Sequence, residues 1–117
     1  MLEALERVTP IAKSAFAARG SRPRPIDHYE SIRATRLVTD RAELCLIDDV
    51  VTKGSTLIAA ASRLQEVYPE ARIVAFALVR TMGFVEDIRS IVEPTTGTIT
   101  FRGDEAVRNP SEDWATR

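Results

Sequence analysis

The residues best suited to chemistry stand together between positions 48 and 56. Two adjacent carboxylates, Asp48 and Asp49, are followed after two valines by the run Thr-Lys-Gly-Ser-Thr at positions 52–56. A glycine lets the backbone approach a ligand closely, while hydroxyls, unpaired N–H groups and a helix dipole all favour a bound phosphate. The segment 52–56 is therefore chemically suited to hold a phosphomonoester.

The paired carboxylates suit the sugar that such a phosphate would carry. Neighbouring acceptors take hydrogen bonds from vicinal hydroxyls and can help to hold a hydrated Mg²⁺. The structural alternative is that Asp48 and Asp49 merely end a strand and cap the next element, as aspartates often do. The apolar residues before them and the loop after them favour the ligand-binding interpretation.

These residues need a strand before them and a helix after them. The apolar run Leu44–Ile47 predicts a central strand that is buried on both faces of a parallel sheet, so that the acids follow its end. Apolar residues at helical spacing from Ser55 predict a helix of about thirteen residues, which Tyr68-Pro69 ends. A second β-branched run, 72–80, completes a predicted βαβ unit with parallel strands.

The rest of the chain gives weaker patterns. Helical spacing of apolar residues predicts helix in 1–20, with a break or restart near Pro10, and the prolines after Gly20 predict an extended, exposed connection. Polarity predicts that the C-terminal stretch is loosely held. The expected organisation is one domain: 1–20 helical, 21–43 connection, 44–80 βαβ unit, 81–102 short extended pieces and 103–117 loose tail.

Composition restricts the classes of function. The 117 residues allow one domain with a modest core. The net charge of −1 provides no attraction to nucleic acid or to an anionic membrane. Cys45 is the sole cysteine, which excludes an internal disulfide, and we expect it to be a buried, inert thiol. No signal peptide or apolar run of about 20 residues is present, so a cytoplasmic location is expected.

The segment Leu44–Thr56 resembles the phosphoribosyl pyrophosphate signature of type I phosphoribosyltransferases. It has four apolar residues, two acids, two apolar residues and a phosphate loop, and the resemblance extends to about Arg80 through the following helix and strand. The wider layout is similar to the competence-type (ComF-like) bacterial group. By this resemblance Asp48 and Asp49 contact the ribose hydroxyls and, indirectly, Mg²⁺, and the 5-phosphate is wrapped by Thr52, Lys53, Gly54, Ser55 and Thr56.

The resemblance implies an α/β fold with a parallel-sheet, Rossmann-like phosphoribosyltransferase core. It implies a cytoplasmic, often dimeric transferase of nucleotide metabolism, which binds phosphoribosyl pyrophosphate with Mg²⁺. A nitrogen acceptor then displaces pyrophosphate at the anomeric carbon, largely through positioning and charge stabilisation. The family's pyrophosphate loop, which follows an earlier strand, is not identified, so the chain is expected to be a shortened or a naturally reduced member. No catalytic residue is identified.

Several alternatives stay open at this stage. Thr52 stands where some family members have a carboxylate base, so a non-catalytic module that binds phosphoribosyl pyrophosphate or a nucleotide is the competing function. Lys53 could approach the phosphate or point into solvent. A Walker nucleotide site is disfavoured because its second glycine is missing and Lys53 precedes Gly54. A receiver domain is disfavoured because its further Asp and Lys cannot be placed.

Several residues outside the signature could also have functional roles. His28, the only histidine, could transfer a proton, but a lone loop histidine is more often incidental. Arg80 should face the ligand end of the sheet, where it would contact the base or pyrophosphate side or form a structural ion pair. Trp114 could dock on a partner or on the domain itself. A pyrophosphate, a subunit neighbour or solvent could be the partner of Arg22, Arg24, Arg33 and Arg36.

Overall fold

The computed structural model of the 117-residue chain describes residues 3–11, 22–37, 41–81 and 95–110. Helices and strands are mixed, and the described strands form three two-stranded sheets, so the architecture is α/β in the broad sense. In chain order the elements are β1 (Leu5–Arg7), α1 (Pro25–Ser31), β2 (Ile32–Ala34), β3 (Glu43–Val51), α2 (Ser55–Val67), β4 (Arg72–Arg80), β5 (Gly97–Arg102) and β6 (Glu105–Pro110).

The central part of the chain confirms the predicted βαβ unit. Strands β3 and β4 are parallel and in register from Glu43 opposite Arg72 to Val51 opposite Arg80. Helix α2 connects them and has the predicted 13 residues. It ends where Tyr68 leaves helical geometry, just before the proline that cannot continue the helix.

The main core lies where α2 meets the β3–β4 pair and the strand ribbon β1–β2. Four residues are buried there, Ala4, Leu64, Tyr68 and Ala71, and partly buried aliphatic side chains from β1, β3 and β4 pack around them. Tyr68 also fixes the chain before β3, because its hydroxyl donates to the Leu37 carbonyl at 3.1 Å and accepts from the Leu37 N–H at 2.6 Å. The core is small and joins α2 to strands β1, β3 and β4.

The predicted burial of the parallel strands on both faces is wrong for the described residues. Ile47 in β3 is 74% exposed and Leu78 in β4 is 75% exposed. Cys45, expected to be buried, is also exposed. The physical reason is that α2 covers one face only, and alternate strand residues point to the other face. Within the described ranges β3 pairs with β4 alone, so its predicted central position is not seen.

The predicted helix over the first twenty residues is wrong where the structure describes it. Residues Leu5–Arg7 form β1, which pairs antiparallel with β2. The helical spacing of Leu2, Leu5 and Val8 was outweighed by this pairing, in which Arg7 lies opposite Ile32. Positions 12–20, where the rest of that helix was predicted, lie outside the described residues.

The predicted connection 21–43 contains helix α1 and strand β2. Pro25 occupies the first turn of α1, where its missing N–H costs nothing, and the Asp27 carboxylate accepts a hydrogen bond from the Arg24 N–H at 2.7 Å. Seven residues make fewer than two full turns, too few to show an apolar period. Pro23 and Pro25 instead led to the prediction of an extended connection.

The predicted loose tail from 103 to 117 is also wrong over its first part. Strand β6 pairs antiparallel with β5 through a turn at Gly103-Asp104, where Gly103 has a φ of +63°. The extended piece predicted near Phe101 is therefore confirmed as β5, although the piece predicted around 91–94 lies outside the described residues, as does Trp114. Within the described ranges no helix is long and apolar enough to cross a membrane.

Candidate functional site

The phosphate-loop candidate lies between the end of β3 and the first turn of α2. Three bent residues, 52–54, join these elements, and Gly54 has a left-handed φ of +95° that an L side chain rarely adopts. The Gly54 carbonyl accepts the first helical hydrogen bond from Ile58 N–H at 2.9 Å. The loop thus presents the start of a 13-residue helix at the carboxyl end of the parallel pair, as the sequence predicted.

Asp48 and Asp49 lie inside β3 rather than after it, which corrects the predicted strand end at Ile47. Each carboxylate accepts a hydrogen bond from the next backbone N–H, that of Asp49 at 2.9 Å and that of Val50 at 2.7 Å. Burial, together with a hydrogen bond that the protonated Asp48 carboxyl donates to the neighbouring Asp49 carboxylate, raises the pKa of Asp48. The two carboxyls are therefore close neighbours, with Asp48 the more buried.

A cavity of about 240 Å³ connects Asp48 with the first turn of α2. Asp48 and Thr56 both line it, so an acid from before the loop and a hydroxyl from after it share one space. Arg7 and Glu6 from β1 line it too, and the remaining walls are aliphatic. The sequence predicted the first two of these residues and missed the contribution of β1, because that segment was assigned to a helix.

His28 lies next to the loop. Its Nδ1 is 3.4 Å from Thr56 Oγ1, so in the neutral tautomer with Nδ1 unprotonated the imidazole accepts a hydrogen bond from the Thr56 hydroxyl. Burial, with a smaller contribution from the Arg7 guanidinium and opposition from Asp27, lowers the pKa of His28, which favours this neutral form. The sequence named His28 but gave no signal that it would contact Thr56.

The hairpin β5–β6 covers the other side of the loop. Lys53, predicted to bind phosphate, donates to the Glu105 carboxylate at 3.3 Å. The side chain of Ile99 packs directly against Gly54, which is buried. The hairpin is further tied by Arg24 to Asp104 at 3.3 Å and by Arg108 to the Thr81 carbonyl at 2.6 Å.

The other arginines fit structural or solvated roles. Arg80 lies at the predicted end of the sheet, opposite Val51 in the register. Arg24 forms the ion pairs with Asp27 and Asp104, and the guanidinium of Arg36 stands 5.8 Å from the Tyr68 ring centre. Arg22 and Arg33 are exposed. None of these five arginines lines the described cavity.

Helix α1 is held against α2 by a compact polar contact. The Arg63 guanidinium stacks 3.6 Å from the centre of the Tyr29 ring, and its Nε donates to the Tyr29 carbonyl at 2.9 Å. The Tyr29 hydroxyl donates to Glu66. Because α1 carries His28, this contact fixes the imidazole relative to Thr56.

Comparisons of the chain with protein-family models, with curated proteins and with solved structures found no significant match. The phosphoribosyltransferase resemblance therefore depends on the motif Leu44–Thr56 and on its geometry in this structure.

The described residues contain no group of three or more His, Cys, Asp and Glu side chains able to hold an ion. Mg²⁺ keeps several waters and is usually bound through one or two carboxylates together with substrate phosphates. The neighbouring carboxyls of Asp48 and Asp49 fit that partial, ligand-dependent type of site.

Proposed function

We propose that the chain binds the ribose 5-phosphate part of phosphoribosyl pyrophosphate and acts as a phosphoribosyltransferase on a nitrogen acceptor. The observation that carries the proposal is the shared cavity of Asp48 and Thr56, which combines a sugar-binding acid with a hydroxyl at a helix N-terminus. The parallel β3–α2–β4 unit gives the motif the strand, loop and helix that the family resemblance implies.

In this proposal each part of the motif has a separate task. The N–H groups of 52–56 and the Thr56 hydroxyl hold the 5-phosphate, while Asp48 and Asp49 accept hydrogen bonds from the ribose hydroxyls. The two acids would also help to hold a Mg²⁺ that binds together with the ligand's diphosphate, and this ion would supply positive charge to stabilise the leaving group. The protein's own contribution is to orient the sugar so that an acceptor nitrogen meets the anomeric carbon.

Lys53 can bind the phosphate only if it exchanges its present partner, Glu105. It is paired with Glu105, so an arriving phosphate must compete with a carboxylate for its ammonium. Both side chains are more than half exposed, which makes the pair weak and easily exchanged. Lys53 therefore contributes to phosphate binding only when this exchange takes place.

A non-catalytic binding module is the second candidate. The observation that favours it is the composition of the loop, where Thr52 is exposed and no carboxylate occurs between positions 52 and 56. Such a module would retain the same sugar-phosphate affinity and would release no pyrophosphate.

Calorimetric titration tests the binding of the sugar phosphate, which both candidate functions require. Phosphoribosyl pyrophosphate and ribose 5-phosphate should bind with Mg²⁺ present, and ribose should not. Thr56→Val should weaken binding about tenfold, since a hydrogen bond to a charged group is worth about 1.5–3 kcal/mol. Ser62→Ala is the matched control, because the Ser62 hydroxyl is engaged within α2 by the Ile58 carbonyl at 2.8 Å.

The outcomes then decide between the functions. Equal affinities of Thr56→Val and the unaltered chain would contradict the proposed phosphate site. Pyrophosphate release in the presence of a nitrogen base would support the transferase. Binding without release across a panel of bases would support the non-catalytic module.

A further inference from the structure

The Thr56 hydroxyl has a single proton, for which His28 and a bound phosphate would compete. Thr56 Oγ1 lies 3.4 Å from His28 Nδ1, and in the neutral tautomer with Nδ1 unprotonated the hydroxyl donates to the imidazole. A phosphate dianion has only acceptor oxygens, so it needs the same proton. The direction of the hydrogen bond between His28 and Thr56 therefore decides whether Thr56 can donate to a phosphate.

The backbone of His28 is held on both sides. Its N–H donates to the Arg24 carbonyl at 3.3 Å, and its carbonyl accepts from the Ser31 hydroxyl at 2.8 Å. Ser31 is 3% exposed, so the second of these hydrogen bonds is sheltered from water. The next residue, Tyr29, is stacked 3.6 Å from the Arg63 guanidinium of α2. The imidazole is therefore carried by backbone that is fixed beside the first turn of α2.

The charges around the imidazole keep it neutral near pH 7 in the free protein. Burial lowers its pKa most, the Arg7 guanidinium of β1 lowers it further, and the Asp27 carboxylate of its own helix opposes them. The charged side chains of α2 that contact α1, Arg63 and Glu66, are engaged with the neighbouring tyrosine. Arg33 of β2 is exposed. A neutral imidazole can accept the proton of the Thr56 hydroxyl at Nδ1.

A phosphate that binds to Thr56 changes this balance. Since Oγ1 is 3.4 Å from Nδ1, a phosphate oxygen about 2.7 Å from that hydroxyl lies within about 6 Å of the imidazole. An opposite charge within about 4–6 Å favours the charged form of a titratable group. A protonated imidazole donates from Nδ1 to Thr56 Oγ1, and the hydroxyl proton is then available to the phosphate.

We propose that His28 is a positioning residue of the phosphate site: its Nδ1 accepts from Thr56 in the free protein, takes up one proton from solvent when phosphate binds, and then donates to Thr56. The inference rests on the proposed function, because it requires Thr56 to meet the phosphate. Affinity for a dianion consequently increases as pH falls through the titration range of His28, since the protonated form binds it more tightly.

Ring spectra of the unaltered chain test the reversal directly. His28 is the only histidine, so its imidazole resonances are unambiguous. In ¹⁵N–¹H correlation spectra at about pH 6.5, Nδ1 should be mostly unprotonated in the free protein and mostly protonated with saturating ribose 5-phosphate. A pH titration of the same resonances should show that saturating ribose 5-phosphate raises the pKa of His28 by about one pH unit or more.

Sulfate affinities measure the functional consequence. Sulfate has the tetrahedral shape of phosphate and stays a dianion between about pH 8 and 5, so protons taken up in this range belong to the protein. Its affinity for the unaltered chain should rise about tenfold as pH falls across the range, because a change of one pH unit in a pKa corresponds to a factor of ten in binding.

Variants assign this pH dependence to His28. His28→Gln should remove most of the rise in sulfate affinity, because glutamine does not titrate. Asp48 has a raised pKa, but its contribution is common to both proteins and cancels in the difference between their profiles. Ser62→Ala is the matched control and should keep the full rise, since its hydroxyl is engaged by the Ile58 carbonyl within α2. Circular dichroism checks that each variant is folded.

The outcomes separate this inference from the proposed function. The inference is overturned by a protonated Nδ1 in the free protein at pH 7, by an unchanged pKa of His28 in saturating ribose 5-phosphate, or by equal sulfate profiles of folded His28→Gln and the unaltered chain. If ribose 5-phosphate still binds in a Thr56-dependent manner, the proposed function stands without it. Absence of ribose 5-phosphate binding at every pH would refute both. The ring spectra decide even if His28→Gln does not fold.

Discussion

The side chain of Ile99 fills the space where a β-carbon of Gly54 would lie. An ideal Cβ at Gly54 would be 2.8 Å from both Ile99 Cδ1 and Ile99 Cγ2, a distance that real Cβ atoms essentially never show. Gly54 also has a φ of +95°, so two independent constraints require glycine at this position. The phosphate-loop candidate is consequently shaped by the β5–β6 hairpin as well as by its own sequence.

Gly54→Ala should therefore destabilise the protein by more than backbone strain alone. A left-handed alanine costs about 1–2 kcal/mol, and displacement of Ile99 adds to this. Gly103→Ala is the control, because Gly103 also has a positive φ but has nothing within 4 Å of its Cβ position. Urea unfolding measures both variants, and equal losses would show that Ile99 does not press on Gly54.

The two tyrosines of the described region give a second stability test. Tyr68→Phe removes the hydroxyl that bonds both backbone groups of Leu37, and it should cost about 1–3 kcal/mol because those groups lose a sheltered partner. Tyr29→Phe should cost less, since its partner Glu66 is exposed and can bond to water. Thermal or urea unfolding of both variants checks the order, which the reverse ranking would refute.

The sequence predicted the part of the fold whose elements carry their own periodicity. Helix α2 was found with correct limits because its apolar residues repeat at helix spacing and Pro69 marks its end, and strand β4 was found because it is an unbroken apolar, β-branched run. Strand β1 was missed because three residues carry no period, and their strand state depends on pairing with a distant segment, β2.

The candidate site was predictable to a similar degree. The acids and the loop 52–56 are contiguous, so a motif could identify them. Arg7 and His28 reach the same place from segments more than 25 residues away, through the burial of Ser31 and the packing of Tyr29 on Arg63. Glu105 reaches Lys53 through the hairpin. Such contacts are set by tertiary packing, and one sequence provides no local signal for them.

Removal of the carboxylate that competes for Lys53 should strengthen phosphate binding. Glu105→Gln frees the Lys53 ammonium, so the affinity of this variant for ribose 5-phosphate should rise a few-fold. Lys53→Gln should lower the affinity by a similar factor. Stability should change by less than about 1 kcal/mol in both variants because the pair is exposed. Glu43→Gln, which breaks the exposed pair with Arg72 at the opposite end of β3, should leave affinity unchanged. An unaltered affinity in Glu105→Gln would contradict competition.

His28 should make stability fall as the solution becomes mildly acidic. Its pKa in the folded protein is lowered, mainly by burial and then by Arg7, so the unfolded chain takes up a proton on the imidazole near pH 6.5 before the folded protein does. The unfolded state thus binds more protons in this window, and the free energy of unfolding rises with pH there. The contribution of His28 is complete above about pH 6.5 and is lost as pH falls through the lowered pKa.

The variant His28→Gln isolates this contribution, because the chain has no other histidine. Urea unfolding of both proteins between pH 7.5 and 5, roughly the range in which only histidine side chains normally titrate, should show a steeper loss in the unaltered chain. Asp48 has its pKa raised and so contributes with the opposite sign at lower pH, but it is common to both proteins and cancels in the difference. Parallel pH profiles would mean that His28 titrates as it does in the unfolded chain, and burial beside Arg7 would then not hold the imidazole neutral.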